Sequence, residues 1–349
     1  MIRAMDETIL SIRDLHVHFP GFLSKVHAIN GCNLELKQGE LLGLVGESGC
    51  GKSLTSTACL GLLPQNSQIS GEILYDGRNL LNATEQTLST LRGKDIAMIF
   101  QNPMTALNPY FSIGQQMRDI ITAHHSCSKS KAQERALESL NKVHLPDPCM
   151  ALDKYPHQFS GGQLQRIMIA IALSCEPKIL IADEPTTALD VTIQAQIILL
   201  LRELVNSENL SVIFITHDLS VVASMCDRVA VMYAGKIVEQ AEITQLFSNP
   251  LHPYTQGLLQ SVPELGNHSR TLYAIKGGLP DMRKPPKGCA FLDRCQMSSD
   301  QCQKQPPVEH WQQGRMVRCH HSPMTLEVSD THTDQTQSKE EENENHLCA

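Results

Sequence analysis

The sequence of 349 residues predicts an α/β protein whose parallel sheet is covered by helices on both faces. Two observations carry that class. From residue 162 helix and strand patterns alternate: a helix over 162–174, a buried strand over 179–182, a helix over 192–205, a strand over 212–216, a further helix and a strand over 228–233. Upstream, the apolar run Leu41, Leu42, Leu44, Val45 leads through a glycine-rich loop into a helix-like stretch, the strand-loop-helix order of a phosphate-binding unit.

Taken in order, residues 9–44 read as strands, with Leu15, Val17 and Phe19 at period two, then Leu34 and Leu36, then the run from Leu41 after a turn at Gln38-Gly39. An antiparallel β subdomain is expected there. The helix after the glycine-rich loop is expected to run to Leu63 and stop at Pro64, before a short strand over 73–75 closed by an Asp76-Gly77 turn. Between Gln101 and Pro156 strand formers are few and weak amphipathic runs such as 131–143 appear, so an inserted helical subdomain is expected over about 102–175. A Pro-, Gly- and Cys-rich region begins near Asn249, and from Thr325 the chain is polar and acidic. The division expected is 1–248 for the nucleotide domain, 249–324 for a small Cys-rich C-terminal extension and 325–349 for a disordered acidic tail.

Composition removes several function classes. The net charge is −8, and the tail carries seven acids against Lys339, so the remainder carries only −2. Aromatic residues make up 4%. Neither a basic balance nor a wealth of stacking rings supports a nucleic-acid partner. Apolar runs such as 167–173 are far shorter than the about 18–20 residues of a spanning helix. With acids where a secretory leader would be basic, the chain reads as cytosolic. Its cysteines are then expected to be buried or metal-bound rather than paired in disulfides.

Gly46, Glu47, Ser48, Gly49, Cys50, Gly51, Lys52 and Ser53 match the P-loop pattern. Backbone N–H groups turned inward make an anion nest, Lys52 reaches the terminal phosphates and Ser53 offers a hydroxyl to Mg²⁺. The apolar strand at 179–182 ends in Asp183 and Glu184, the arrangement that holds Mg²⁺ with the first acid and orients an attacking water with the second. A nucleoside triphosphate with Mg²⁺ is therefore the expected ligand, and the resemblance below makes it ATP.

With Ser160-Gly161-Gly162-Gln163 downstream of the P-loop, the chain resembles the ATPase subunits of ABC transporters. Phe159 stands before that tetrapeptide where the family commonly has Leu. The resemblance implies that Ser160, Gly161, Gly162 and Gln163 face the nucleotide of an opposing subunit. It makes Gln101 a Q-loop glutamine at the Mg²⁺ and the water, Ala188-Leu189-Asp190 a D-loop, and His217 a switch histidine. It also suggests Phe19 as an aromatic stacked on adenine, although Phe19 equally continues the buried phase of Leu15 and Val17. His217 before Asp218, taken alone, reads as a capping or core histidine.

His252-Pro253-Tyr254-Thr255, Leu258-Leu259 and Ser261-Val262-Pro263 are similar to the C-terminal segment of dipeptide, oligopeptide and nickel importer ATPases. That resemblance implies a peripheral subunit on the cytoplasmic face of the inner membrane, hydrolysing ATP to energise import of dipeptides or oligopeptides. Nickel or another small solute is the alternative cargo. The implied partners are a second, paralogous ATPase subunit, two transmembrane permease subunits and, indirectly, an extracytoplasmic substrate-binding protein. A non-transport ABC ATPase or a soluble P-loop kinase are the other classes; the single core, the absence of a long coiled coil and the near-neutral charge weigh against the first, and the signature loop against the second.

Cys289, Cys295, Cys302 and Cys319 fall in one short segment, whereas Cys32, Cys50, Cys59, Cys127, Cys149, Cys175 and Cys226 are scattered. The spacing differs from the tight pairs of structural zinc sites, and four thiolates suit an iron-sulfur cluster, zinc or ordinary thiols. The resemblance implies a [4Fe-4S] centre, since some relatives with cysteines arranged like these carry one.

Overall fold

The computed structural model describes residues 7–21, 24–187, 189–262 and 274–325. Ala188, Pro263 and the acidic tail from residue 326, with Cys348, lie outside the described residues.

Among the described residues twelve strands form two sheets: β1 Thr8–Phe19, β2 Val26–Lys37, β3 Leu41–Val45, β4 Gln68–Tyr75, β5 Arg78–Asn79, β6 Ile96–Ile99, β7 Ile179–Asp183, β8 Ser211–Thr216, β9 Arg228–Tyr233, β10 Lys236–Glu242, β11 His310–Gln312 and β12 Arg315–Val317. The smaller sheet has the order β2-β1-β4-β5 and is antiparallel. The larger has the order β11-β12-β10-β9-β3-β8-β7-β6, with β9, β3, β8, β7 and β6 parallel.

The period-two geometry of the parallel strands explains their continuous apolar runs. Leu42, Leu44, Ile179, Ile181, Ile213, Ile215, Ala230 and Met232 point into a core shared with the small sheet. Leu41, Val45, Leu180, Ala182, Val212, Phe214, Val229 and Val231 point into a second core beneath the helices. A strand buried on both faces has no polar phase to show, and so its residues are apolar throughout.

The expected antiparallel opening is present as the β1-β2 pair, but β3 leaves it and enters the parallel sheet between β9 and β8. The P-loop helix is also shorter than its sequence suggests. It spans Lys52–Cys59 and ends on Gly61, whose φ of 61° lets Leu62 N–H reach Thr57 O at 2.9 Å and Gly61 N–H reach Ala58 O at 3.0 Å. This paired closure ends the helix ahead of Pro64. The insertion is helical as expected, with Pro103–Ala106, Ile113–His124, Lys129–Lys142, Pro148–Ala151 and Gly161–Leu173. Its inner faces are Ile113, Met117, Ile121, Ala132, Ala136 and Leu140, all buried in the helical core.

The chain beyond 249 folds onto the rest rather than beside it. Helix Pro253–Gln260 buries Tyr254 completely, and β12 pairs with β10 through Glu239↔Val317 and Gln240↔Met316. No described helix is long and apolar enough to cross a membrane.

Candidate nucleotide site

Parallel strands place their C-terminal ends along one rim of a sheet, and loops leaving that rim meet. Here β3 delivers the P-loop, β7 delivers Asp183 and Glu184, β6 delivers Gln101 and β8 delivers His217. Gly46 opens the loop against β9: a Cβ there would sit 2.3 Å from Met232 O and 2.8 Å from Cys50 Sγ, so only glycine fits. Lys52 is buried, and its Nζ folds over the loop to Gly46 O at 2.7 Å and Glu47 O at 3.1 Å.

Ser53 Oγ donates to Asp183 Oδ1 at 3.0 Å. Burial raises the Asp183 pKa above the ordinary carboxylate value; the hydrogen bond from Ser53 opposes the shift, the charge of Glu184 adds to it and that of Lys52 opposes it. A hydroxyl and a desolvated carboxylate in contact at a phosphate loop fit Mg²⁺, which takes one or two protein oxygens and completes its shell with substrate phosphate and water. Among the described residues no three His, Cys, Asp or Glu side chains are grouped so as to hold a metal ion.

Glu184 has a left-handed backbone, φ 46°, held by its N–H to Ile215 O at 2.9 Å. Its Oε2 accepts Gln101 Nε2 at 3.0 Å and Thr187 Oγ1 at 2.9 Å, while Oε1 lies 3.4 Å from His217 Nδ1. One carboxylate is thus bracketed by the expected glutamine and histidine. Thr187 was missed in the sequence, although a hydroxyl three residues after an acid at a turn is a recurrent local partner. The structure joins Gln101 to Glu184 by a direct hydrogen bond, whereas the sequence reading assigned it to Mg²⁺ as well.

The other expected site residues are engaged locally. Ser160 and Gln163 form a capping box at the start of helix Gly161–Leu173: Gln163 N–H donates to Ser160 Oγ at 3.4 Å and Ser160 N–H to Gln163 Oε1 at 3.1 Å. The first-turn N–H groups of Gly161 and Gly162 have no intrahelical acceptor by helix geometry and can meet an anion. Asp190 caps helix Val191–Glu208, its Oδ1 taking Ile193 N–H at 2.9 Å. Phe19 is half-buried at the end of β1 and packs against the core under the small sheet. Gly49, Gly51 and Ser48 complete the loop.

Cys289, Cys295, Cys302 and Cys319 do come together in space. Cys289 N–H donates to Cys302 O at 2.7 Å, and burial, with the neighbouring Cys302, Cys319 and Cys295 adding to it, pushes the Cys289 thiol up to about 11. Burial likewise pushes Cys319 up to about 11. Burial favours the neutral thiol at Cys289 and Cys319, and among the described residues no three His, Cys, Asp or Glu side chains are grouped as a metal-ligand set. The expected [4Fe-4S] centre thus has no support in this geometry.

The chain is similar to known proteins over most of its length. Residues 29–187 match the family model described as ABC transporter, and residues 238–302 match that of the oligopeptide/dipeptide transporter C-terminal region. The chain is 49% identical over 318 residues to the probable peptide ABC transporter ATP-binding protein y4tR of Sinorhizobium fredii, covering 90% of this chain and 95% of that one. It is 47% identical to the oligopeptide transport ATP-binding protein OppD of Escherichia coli, covering 90% and 93%. It is 50% identical to the dipeptide transport ATP-binding protein DppD of Bacillus subtilis, covering 83% and 87%. Among solved structures, the dimeric post-hydrolysis state of the ATP-binding cassette MJ0796 with ADP and Pi superposes with a TM-score of 0.60 at 26% identity, covering 67% of this chain and 98% of that one. With its phosphate loop, acid pair and C-terminal segment all accounted for, the chain belongs to the ABC transporter family of ATP-binding proteins, in the group that carries the oligopeptide/dipeptide transporter C-terminal region.

Proposed function

We propose that the chain hydrolyses ATP to energise a membrane importer of dipeptides or oligopeptides. The observation that carries the catalytic part is the bracketing of Glu184 by Gln101 and His217 beside the Ser53–Asp183 pair. Bound MgATP supplies the electrophilic phosphorus and the cation. Lys52 and the amides of Gly46 to Ser53 hold the phosphates, while Ser53 and Asp183 hold the cation. Glu184 orients the attacking water and accepts its proton, and Gln101 and His217 keep that carboxylate in place. Ser160, Gly161, Gly162 and Gln163, with Asp190, complete the site of an opposing ATPase subunit. That relative MJ0796 is dimeric with ADP and Pi supports a paired arrangement. Phe19 serves as an adenine contact at the rim of β1.

The cargo assignment rests on relatives named for oligopeptide and dipeptide transport that match nearly the whole chain. Partners are a paralogous ATPase subunit and two transmembrane permease subunits, with an extracytoplasmic binding protein delivering substrate. The chain works at the cytoplasmic face of the inner membrane as a peripheral subunit. Phe100, Met104, Tyr110, Phe111 and Met150 are exposed on and beside the helical insertion, an apolar surface suited to the permease and next to Gln101. The division into 1–248, 249–324 and 325–349, with helical subdomain 102–175, belongs to the same reading. So does the four-cysteine segment as a small extension; a [4Fe-4S] centre there rests on resemblance alone, and anaerobically purified protein without iron and acid-labile sulfide removes it.

The test is reconstitution of the assembled transporter in proteoliposomes with binding protein. ATP hydrolysis stimulated by peptide-loaded binding protein, with peptide accumulating inside, is the expected result. Stimulation by nickel and not by peptide, or hydrolysis independent of the membrane partners, overturns it.

A further inference from the structure

The chain beyond residue 249 grips the phosphate loop from behind. Glu47, second residue of that loop, donates its N–H to Tyr254 Oη at 2.9 Å. Its carboxylate receives the Arg294 guanidinium as a two-point fork, Nη1 to Oε2 at 2.9 Å and Nη2 to Oε1 at 2.8 Å. Arg294 is 6% exposed and is itself fixed, with Nε on Lys276 O at 3.0 Å and its guanidinium carbon 5.7 Å from the Tyr233 ring centre and 5.8 Å from that of Phe291. Tyr254 is fully buried against the same two rings, at 4.7 and 5.5 Å between centroids. Leu279 adds an apolar contact, its Cδ1 lying 3.6 Å from where a Cβ on Gly49 would be.

Glu47 is held on both sides. Its N–H and carboxylate go to the C-terminal segment, while its carbonyl takes the Lys52 ammonium at 3.1 Å. A loop of glycines has many conformations, and only one turns its amides toward phosphate. Fixing the first half of such a loop before nucleotide arrives removes part of the ordering cost of binding. The hold on the Glu47 N–H and carboxylate comes from a segment remote in sequence, while Lys52 within the loop reaches only carbonyls.

We propose that Arg294 and Tyr254 are positioning residues for the phosphate loop, so that the C-terminal segment sets the chain's affinity for nucleoside triphosphate through Glu47. This inference rests on the ATP-binding reading above. Arg294 lies in the short 3-10 turn Leu292–Arg294 between Cys289 and Cys295, so the packing of the cysteine segment is mechanically continuous with the loop.

The test uses the assembled transporter carrying Arg294→Gln, Tyr254→Phe, Glu47→Gln and the Glu47→Gln/Arg294→Gln pair, with MgATP dissociation constants and steady-state hydrolysis measured for each. Arg294→Gln weakens MgATP binding about tenfold while kcat at saturation stays within about twofold, and Arg294→Lys recovers only part because an ammonium cannot fork. Tyr254→Phe keeps the ring and loses the acceptor, giving about threefold weaker binding and a variant that retains the core. The double variant is no weaker than Arg294→Gln alone, a coupling that simple loss of stability does not produce. Unchanged affinity in folded Arg294→Gln and Tyr254→Phe proteins, or strictly additive losses in the pair, overturns the proposal. Failure of the ATP reading is distinct: Lys52→Ala then leaves MgATP affinity unchanged as well.

Discussion

Glu184→Gln separates the chemical step from everything that precedes it. The amide has the shape of the carboxylate and can place its oxygen where Oε2 now accepts Gln101 at 3.0 Å and Thr187 at 2.9 Å. Its NH₂ then faces His217 Nδ1, now 3.4 Å from Oε1, which accepts in the tautomer protonated at Nε2. Every partner is kept, so the folding cost is below about 1 kcal/mol, a shift in thermal midpoint of less than about 4 °C. The proposed phosphate and cation contacts, on Lys52, Ser53 and Asp183, are untouched. What disappears is the proton acceptor, and positioned general bases contribute about 10²–10⁴ in rate, or about 3–5 kcal/mol of barrier. The expected outcome is MgATP affinity within about threefold of the parent and hydrolysis lowered at least about a hundredfold. Equilibrium binding and steady-state phosphate release in the assembled transporter measure both. Hydrolysis within about threefold of the parent refutes the role of Glu184, and parallel loss of binding and turnover refutes the separation of the two acids.

Three further outcomes follow from the same geometry. Lys52→Ala removes the loop's cation and weakens MgATP binding about a hundredfold, read by equilibrium titration. Ser160→Arg costs about 1 kcal/mol through the lost cap yet leaves binding at the chain's own P-loop within about twofold, while hydrolysis in the paired complex falls; equal loss of both marks misfolding instead. Burial lowers the His252 pKa to about 3, so the folded chain holds fewer protons there than the unfolded one, and stability present above about pH 6.5 is lost as pH falls toward 3. That loss is about 2 kcal/mol at pH 5, and His252→Asn, which can still cap helix Pro253–Gln260, shows a smaller drop in unfolding midpoint between pH 7 and pH 5.

The sequence made the phosphate loop, the acid pair and the parallel strands legible because each is a local pattern: glycines at fixed offsets, short uninterrupted apolar runs, two acids at a strand end. The bracketing of Glu184 needed Gln101 and His217 from distant strands, and only the family pattern brought them forward. The grip on Glu47 left no local trace. His252-Pro253-Tyr254-Thr255 read as a marker without chemistry, yet His252 Nδ1 accepts Tyr254 N–H at 3.0 Å to start the helix that aims Tyr254 at the loop. Arg294 drew no notice in the sequence, since one arginine beside a cysteine carries no pattern. The short β11 and β12 were equally hidden, since three residues carry too little periodicity to register. The cysteine cluster taught the opposite lesson, because proximity in sequence did produce proximity in space, without a metal-ligand grouping among the described residues.

The pairing of β12 with β10 also bears on how the chain must be made. Residues 315–317 cover the outer edge of a strand completed at residue 242, and β11 then becomes the outermost strand, only three residues long and bearing Trp311 and Gln312. During synthesis from the N-terminus the catalytic half therefore emerges with an open edge. That edge stays open until nearly all of the described chain has left the ribosome. An open edge invites pairing with another nascent chain. A message truncated soon after residue 302 would encode the family's matched region and still leave β10 unprotected, a species fit for quality control rather than for assembly.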